Sequence, residues 1–116
     1  MGTLPLYYGE DAQTIVISNR ATSGTSEGGG VFCTDDGSYL NCLIIGNYAE
    51  RDGGGVYCDG TNVYLNCTIS DNTADRDGGG VFFNDMGSLT NCIVWGNDSE
   101  YGDGNWDGFG GQMHYS

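Results

Sequence analysis

The sequence predicts an all-β chain wound as a β-solenoid, with about four coils of 25 residues. Three observations predict it. Gly-Gly-Gly-Val recurs at residues 28–31, 53–56 and 78–81, Asn-Cys recurs at 41–42, 66–67 and 91–92, and a single asparagine follows at Asn47, Asn72 and Asn97. Each series steps by 25 residues without slippage, and residues 31–55 share 14 of 25 positions with residues 56–80. A period in this range marks units that each form one turn and stack on the next.

Within the unit, residues 31–33, 56–58 and 81–83 are short β-prone runs opened by triple glycine. Residues 39–45, 64–70 and 89–95 form a longer apolar run, bent at Asn-Cys. Alternation places Leu40, Cys42 and Ile44 on one face, and Leu65, Cys67 and Ile69 likewise. Inward positions repeat because each side chain packs on its own copy one coil above, whereas outward positions drift: Leu43, Thr68 and Ile93, then Ile45, Ser70 and Trp95. Triple glycine excludes a helix and lets the backbone turn with φ > 0. No 3.6-residue period is present.

The unit Ile/Val-x-x-Asn-x-Ala-x-x-x-Gly-Gly-Gly-Val, as it runs from Ile69 through Asn72 and Ala74 to Val81, resembles right-handed parallel β-helix repeats of large bacterial surface and secreted proteins. It is similar to the repeats of the chlamydial polymorphic outer-membrane proteins, and residues 89–97 are like the last regular coil of such arrays. The resemblance covers about residues 14–97. It implies a right-handed parallel β-helix and an extracellular or cell-surface location. It does not select a function, because the same helix carries adhesins, pectin-cleaving enzymes and purely structural repeats.

Along the chain, residues 1–13 lie outside the period, and Leu4, Leu6, Tyr7 and Tyr8 could cover the first coil as a cap or lead-in. Residues 1–8 lack the basic start and apolar centre of a signal peptide. The repeat array spans 14–97, with Ile15, Val16 and Ile17 corresponding to the strand before Asn47 and with a turn lengthened by three residues at 21–26. Residues 98–116 form an irregular tail rich in Gly, Asp and aromatics. In it, Gly110, Gly111, Gln112 and Met113 resemble a worn fourth Gly-Gly-x-Val, after a turn expanded by seven residues.

Sixteen acidic residues stand against three arginines, and no lysine is present, for a net charge of −13. Such a surface excludes nucleic acid and anionic membrane as partners. No apolar run approaches the ~20 residues needed to span a bilayer, so membrane insertion by a helix is excluded.

The candidate chemical groups fall in columns. Cys42, Cys67 and Cys92 form one inward column, and Cys33 and Cys58 a second that Phe83 ends. Stacked strands lie ~4.8 Å apart, inside the Cα window for a disulfide, so a Cys33–Cys58 bridge and a ladder of buried thiols both remain open. The only histidine, His114, lies in the tail, which leaves zinc and a Cys–His nucleophile without support. The columns Asn41, Asn66, Asn91 and Asn47, Asn72, Asn97 are expected to be side-chain amide ladders. Asn66-Cys-Thr and Asn97-Asp-Ser match the glycosylation acceptor pattern; Asn97, in a turn, is the better candidate, and Asn66 is expected to point inward.

In the acidic turns, Glu27, Asp52 and Asp77 share a column beside Arg51 and Arg76. Like charges about 4 Å apart repel by about 1 kcal/mol in water. Calcium bridging Asp52 and Asp77 would relieve this, and so would diagonal Arg–Asp pairs along a solvated edge. Asp35, Asp36, Asp59 and Asp85 form a second acidic group. Phe32, Tyr57 and Phe82, and separately Tyr39 and Tyr64, are expected as outward stripes that bind a sugar face or shield their own sheet.

Two function classes follow. The first is a non-catalytic extracellular structural or surface repeat protein, a fibre or filament subunit or an adhesin segment, whose uncapped strands let copies associate head to tail. The second is a polysaccharide-binding or polysaccharide-cleaving β-helix fragment. No catalytic set is recognisable, and the departures from repeat symmetry, where a catalytic site would be sought, fall mainly at the two ends.

Overall fold

The computed structural model describes residues 15–17, 20–21, 27–34, 36–108 and 112–114. Strands β1 (Ile15–Ile17), β2 (Arg20–Ala21), β3 (Val31–Cys33) and β4 (Gly37–Leu40) make the first circuit. β5 (Cys42–Ile45), β6 (Tyr48–Ala49), β7 (Val56–Cys58) and β8 (Asn62–Leu65) make the second. β9 (Thr68–Ser70), β10 (Thr73–Ala74), β11 (Val81–Phe83) and β12 (Gly87–Thr90) follow, then β13 (Ile93–Trp95), β14 (Asp98–Ser99), β15 (Trp106–Gly108) and β16 (Gln112–His114). Each circuit gives one strand to each of four sheets, in the orders β1-β5-β9-β13, β2-β6-β10-β14, β3-β7-β11-β15 and β4-β8-β12-β16. All pairings are parallel. The molecule is a parallel β-solenoid, with no helix among the described residues.

The interior is a set of stacked columns. Val56 and Val81, Cys58 and Phe83, Ile44 and Ile69, and Ala49 and Ala74 are all buried. In each column the partner one circuit away fills the gap between successive strands, so an apolar side chain is desolvated by its own repeat. Val31, Val56 and Val81 stand in register, as the period requires.

The triple glycine is where circuits come closest. Gly53 has φ +69°. The amides of Gly53, Gly54 and Val56 donate to the carbonyls of Asp77, Gly78 and Gly80 on the next circuit, at 2.8–3.1 Å. A Cβ on Gly54 would run into the carbonyl oxygens of Thr73 and Gly79, where that circuit passes overhead.

Three expectations change. Leu40 is not inward: it is 53% exposed, while Tyr64, expected on an outward stripe with Tyr39, is fully buried and stacks on Tyr39 with ring centroids 4.6 Å apart. The reason is the corner between β4 and β5 and its copies. Asn41, Asn66 and Asn91 sit there with φ of 55°, 56° and 52°, a left-handed conformation that asparagine tolerates better than most residues. One such residue breaks the alternation, so Tyr64 and Leu89 face inward before it and Cys67 and Cys92 after it.

The second change is in the last circuit. Trp106, not Met113, pairs with Val81, again 25 residues on, and Met113 pairs with Leu89. Gly102, Asp103, Gly104 and Asn105 therefore hold the place of Asp77 and the three glycines after it, and no turn expanded by seven residues occurs. Gly110 and Gly111 lie outside the described residues.

The third change is one residue in β1, where Ile17 pairs with Ile44 and not Ile45. The three-residue insertion falls as expected between Ala21 and Val31, because the offset changes from 28 at Arg20↔Tyr48 to 25 at Val31↔Val56. The cap expected at 1–13 and the residue Asp35 are outside the described residues.

Candidate functional site

The most ordered polar array is the asparagine column. Asn72 Nδ2 donates to Ile44 O and Asn97 Oδ1, both at 2.9 Å, and its Oδ1 accepts from the N and Nδ2 of Asn47, both at 2.8 Å. Asn97 would need the asparagine of a further circuit. Asn105 takes that part: its Oδ1 accepts from Asn97 N at 3.2 Å and Asn97 Nδ2 at 3.1 Å. A Cβ at the equivalent glycines, Gly30, Gly55 and Gly80, would strike the asparagine side chain of the following circuit at 2.7–3.0 Å. Asn105 carries a side chain at that position and turns it back on the ladder.

The other asparagine column is not a ladder. Asn66 and Asn91 are exposed corner residues, and no side-chain hydrogen bond stacks them. Asn66 therefore does not point inward, and the two asparagines of the acceptor pattern differ in surroundings. The Asn97 amide nitrogen is engaged by Ile69 O, Trp95 O and Asn105 Oδ1, whereas Asn66 faces solvent.

In the acidic turns, the diagonal pairs form. Arg51 Nη1 lies 3.5 Å from Glu27 Oε2, and Arg76 Nε lies 3.6 Å from Asp52 Oδ1. Asp52 is 4% exposed and also accepts the Asp77 amide at 3.2 Å. Arginines from one circuit on thus offset part of the charge at Glu27 and Asp52. Asp77 is treated differently. The next position of the arginine column is Tyr101, and a Cβ on Gly102 would meet Asp107 Oδ2 and also Asp77 Oδ1 at 2.6 Å, which places two carboxylates side by side. Burial, then the charges of Asp52 and Asp107, raise the Asp77 carboxyl above its usual range.

A raised native pKa adds stability below the unfolded value, and this is lost as pH rises through the native value. Asp77→Asn should therefore raise the melting temperature at pH 7, by about 1 kcal/mol or less given solvent screening. The gain should vanish in acid, and thermal melts between pH 3 and 7 check it.

Among the described residues no three His, Cys, Asp or Glu side chains converge to hold a metal ion. The second acidic group is used in turns: Asp36 Oδ1 accepts Thr61 N, Asp59 Oδ1 accepts Asn84 Nδ2 and Asp85 Oδ1 accepts Met86 N, at 2.8–3.0 Å.

All five cysteines are buried free thiols. Cys67 donates to Tyr39 O and Leu65 O, Cys92 to Tyr64 O and Thr90 O, each bridging two circuits at 3.2–3.4 Å. The contact between Cys67 and Cys92 splits the pair, holding Cys92 below and Cys67 above the ordinary thiol range. In the second column, Cys33 Sγ lies 2.8 Å from Tyr39 Oη and 3.4 Å from Tyr64 Oη, and Cys58 donates to Tyr64 Oη at 3.5 Å. Burial pushes the Cys58 thiol up to about 12 and the Tyr64 phenol upward as well. Cys58 and Tyr64 are thus neutral hydrogen-bonding partners, and the tyrosines are the core members that strict alternation missed. Their repeating column (Tyr39, Tyr64, Leu89) was the signal for them.

Outside, Phe32, Tyr57 and Phe82 stack with centroids 5.2 and 5.5 Å apart and planes within 10°. Tyr57 is sandwiched between the two phenylalanines; Tyr57 and Phe82 are buried, and Phe32 is exposed.

Two stretches, residues 41–59 and 66–84, match the Chlamydia polymorphic membrane protein (Chlamydia_PMP) repeat. They are consecutive copies of the 25-residue unit, each running from the corner asparagine to just beyond the inward residue at Cys58 or Phe83. No curated protein and no solved structure matches the chain.

Proposed function

We propose that this chain, a parallel β-solenoid whose two central units are repeats of that kind, is a non-catalytic structural segment of a cell-surface or outer-membrane protein. One observation carries the reading: the recurring residues inside the matched stretches serve the coil itself. Cys42, Ile44, Asn47, Ala49, Val56 and Cys58, and their copies from Cys67 to Phe83, are buried against neighbouring circuits. Asn41 and Asn66 turn the corner, and the glycines pass the next circuit.

External proteinase K applied to intact cells should degrade the chain without lysis. Protection until the cells are broken open would overturn the surface location. Incubation with acidic and neutral glycans should give no turnover, and turnover abolished by one Asp→Asn change would replace the structural reading with the polysaccharide-cleaving one.

A finer form of the reading is a fibre or adhesin segment that associates head to tail. In its favour, among the described residues β13 pairs on one side only, with β9, and carries exposed Ile93 and Trp95. Asn105 counts against it, since it closes the asparagine ladder at the same end. Sedimentation at physiological salt separates the two: a filament supports association, and a strict monomer removes it.

A further inference from the structure

Asn62 is the one buried side chain among the described residues whose polar atoms lack a partner. It is 1% exposed, and neither Nδ2 nor Oδ1 makes a hydrogen bond to protein. Leaving both ends of a buried amide unsatisfied costs the full desolvation penalty of each group, so a partner is required. The neighbouring rungs of its column are glycines, Gly37 below and Gly87 above. On the Gly87 side the Phe83 ring fills the space a side chain would take. On the Gly37 side it does not: the nearest atoms to a Cβ there would be Asn62 Oδ1 at 3.3 Å, Tyr39 Cε2 at 3.7 Å and Tyr39 Oη at 4.0 Å.

We propose that this niche, bounded by Gly37, Asn62 and Tyr39, binds a single water molecule that hydrogen-bonds the Asn62 amide. The occupant must donate to Oδ1 and accept from Nδ2, and a water does both. It must also be neutral. Tyr39, which shares a hydrogen bond with Cys33 beside the niche, has its phenol held well above the usual range by that bond and by burial, and burial disfavours an ion without a counter-charge. The column Gly-Asn-Gly thereby acquires a sequence logic, since a side chain at residue 37 would take the water's place.

The direct test is water-to-amide magnetisation transfer on the folded chain. The Asn62 side-chain amide protons should show cross-peaks to water with the sign of a long-lived contact, and their absence would overturn the proposal. Two substitutions give an independent readout. Gly37→Ala should lower the melting temperature by displacing the water, and Gly37→Ser should restore it by placing a hydroxyl near Asn62 Oδ1. Serine melting no higher than alanine would count against the site. So would Asn62→Val melting above the parent chain, the result expected if the amide were simply unsatisfied.

Discussion

Replacing Gly54 by alanine is expected to destabilise the solenoid by about 3 kcal/mol or more, the upper range for overpacking a site that cannot relax. The added methyl would enter the carbonyl oxygens of Thr73 and Gly79. Both belong to backbone pinned by inter-circuit bonds, so neither can rotate aside as a side chain would. Because total stability of such a domain is about 5–15 kcal/mol, this is about a fifth to three-fifths of the whole. Gly96→Ala provides the control. Gly96 has φ +70°, but its Cβ would meet only Asp71 Oδ1 at 3.5 Å. The expected cost is about 1–2 kcal/mol of left-handed strain, and Asp71, the same corner one circuit earlier, already bears it at φ 56°. Urea midpoints of the two variants check the order. Equal midpoints would mean that circuits do not approach at Gly54 as described.

The contrast between these glycines shows what the repeat makes legible. Period alone identifies the columns, because a residue that packs on its own copy must recur. Val56 and Val81, Ile44 and Ile69, and Asn47 and Asn72 were visible for that reason. Period does not say which way a column points. That depends on the backbone between strands, and one left-handed residue at Asn66 sends Leu65 outward and Tyr64 inward. The last circuit was obscured for a different reason. Its residues at the glycine positions differ: Asn105 stands where Gly55 and Gly80 lie bare against an asparagine, and its own side chain joins the ladder instead. Counting 25 from Val81 reaches Trp106 even though the local motif is gone. The acidic turn was legible as a column of repulsion, and the sequence even holds the arginines that relieve it. Which rung is left unrelieved follows only from Tyr101 standing where a third arginine would.

Asn72→Ala should rank with Gly54→Ala, at about 3–5 kcal/mol. The substitution removes four hydrogen bonds, each worth about 0.5–1.5 kcal/mol net, and strands Ile44 O and Asn47 N in the core. Asn105→Ala should cost less, about 1 kcal/mol, because it removes only the closing rung at a half-exposed site. Aspartate at residue 72 is the sharper probe. It keeps the acceptor for Asn47 but sets a buried carboxylate oxygen against Ile44 O and Asn97 Oδ1, where a donor is required. At pH 7 Asn72→Asp should therefore melt below Asn72→Ala, since an unpaired buried charge costs more than a missing bond. Protonation supplies one O–H donor, so the aspartate variant should recover stability relative to alanine as pH falls through its raised carboxyl pKa. Chemical denaturation of both variants between pH 4 and 7 measures the crossing. If aspartate stays above alanine throughout, Nδ2 of Asn72 is not a required donor, and the ladder is held by its acceptors alone.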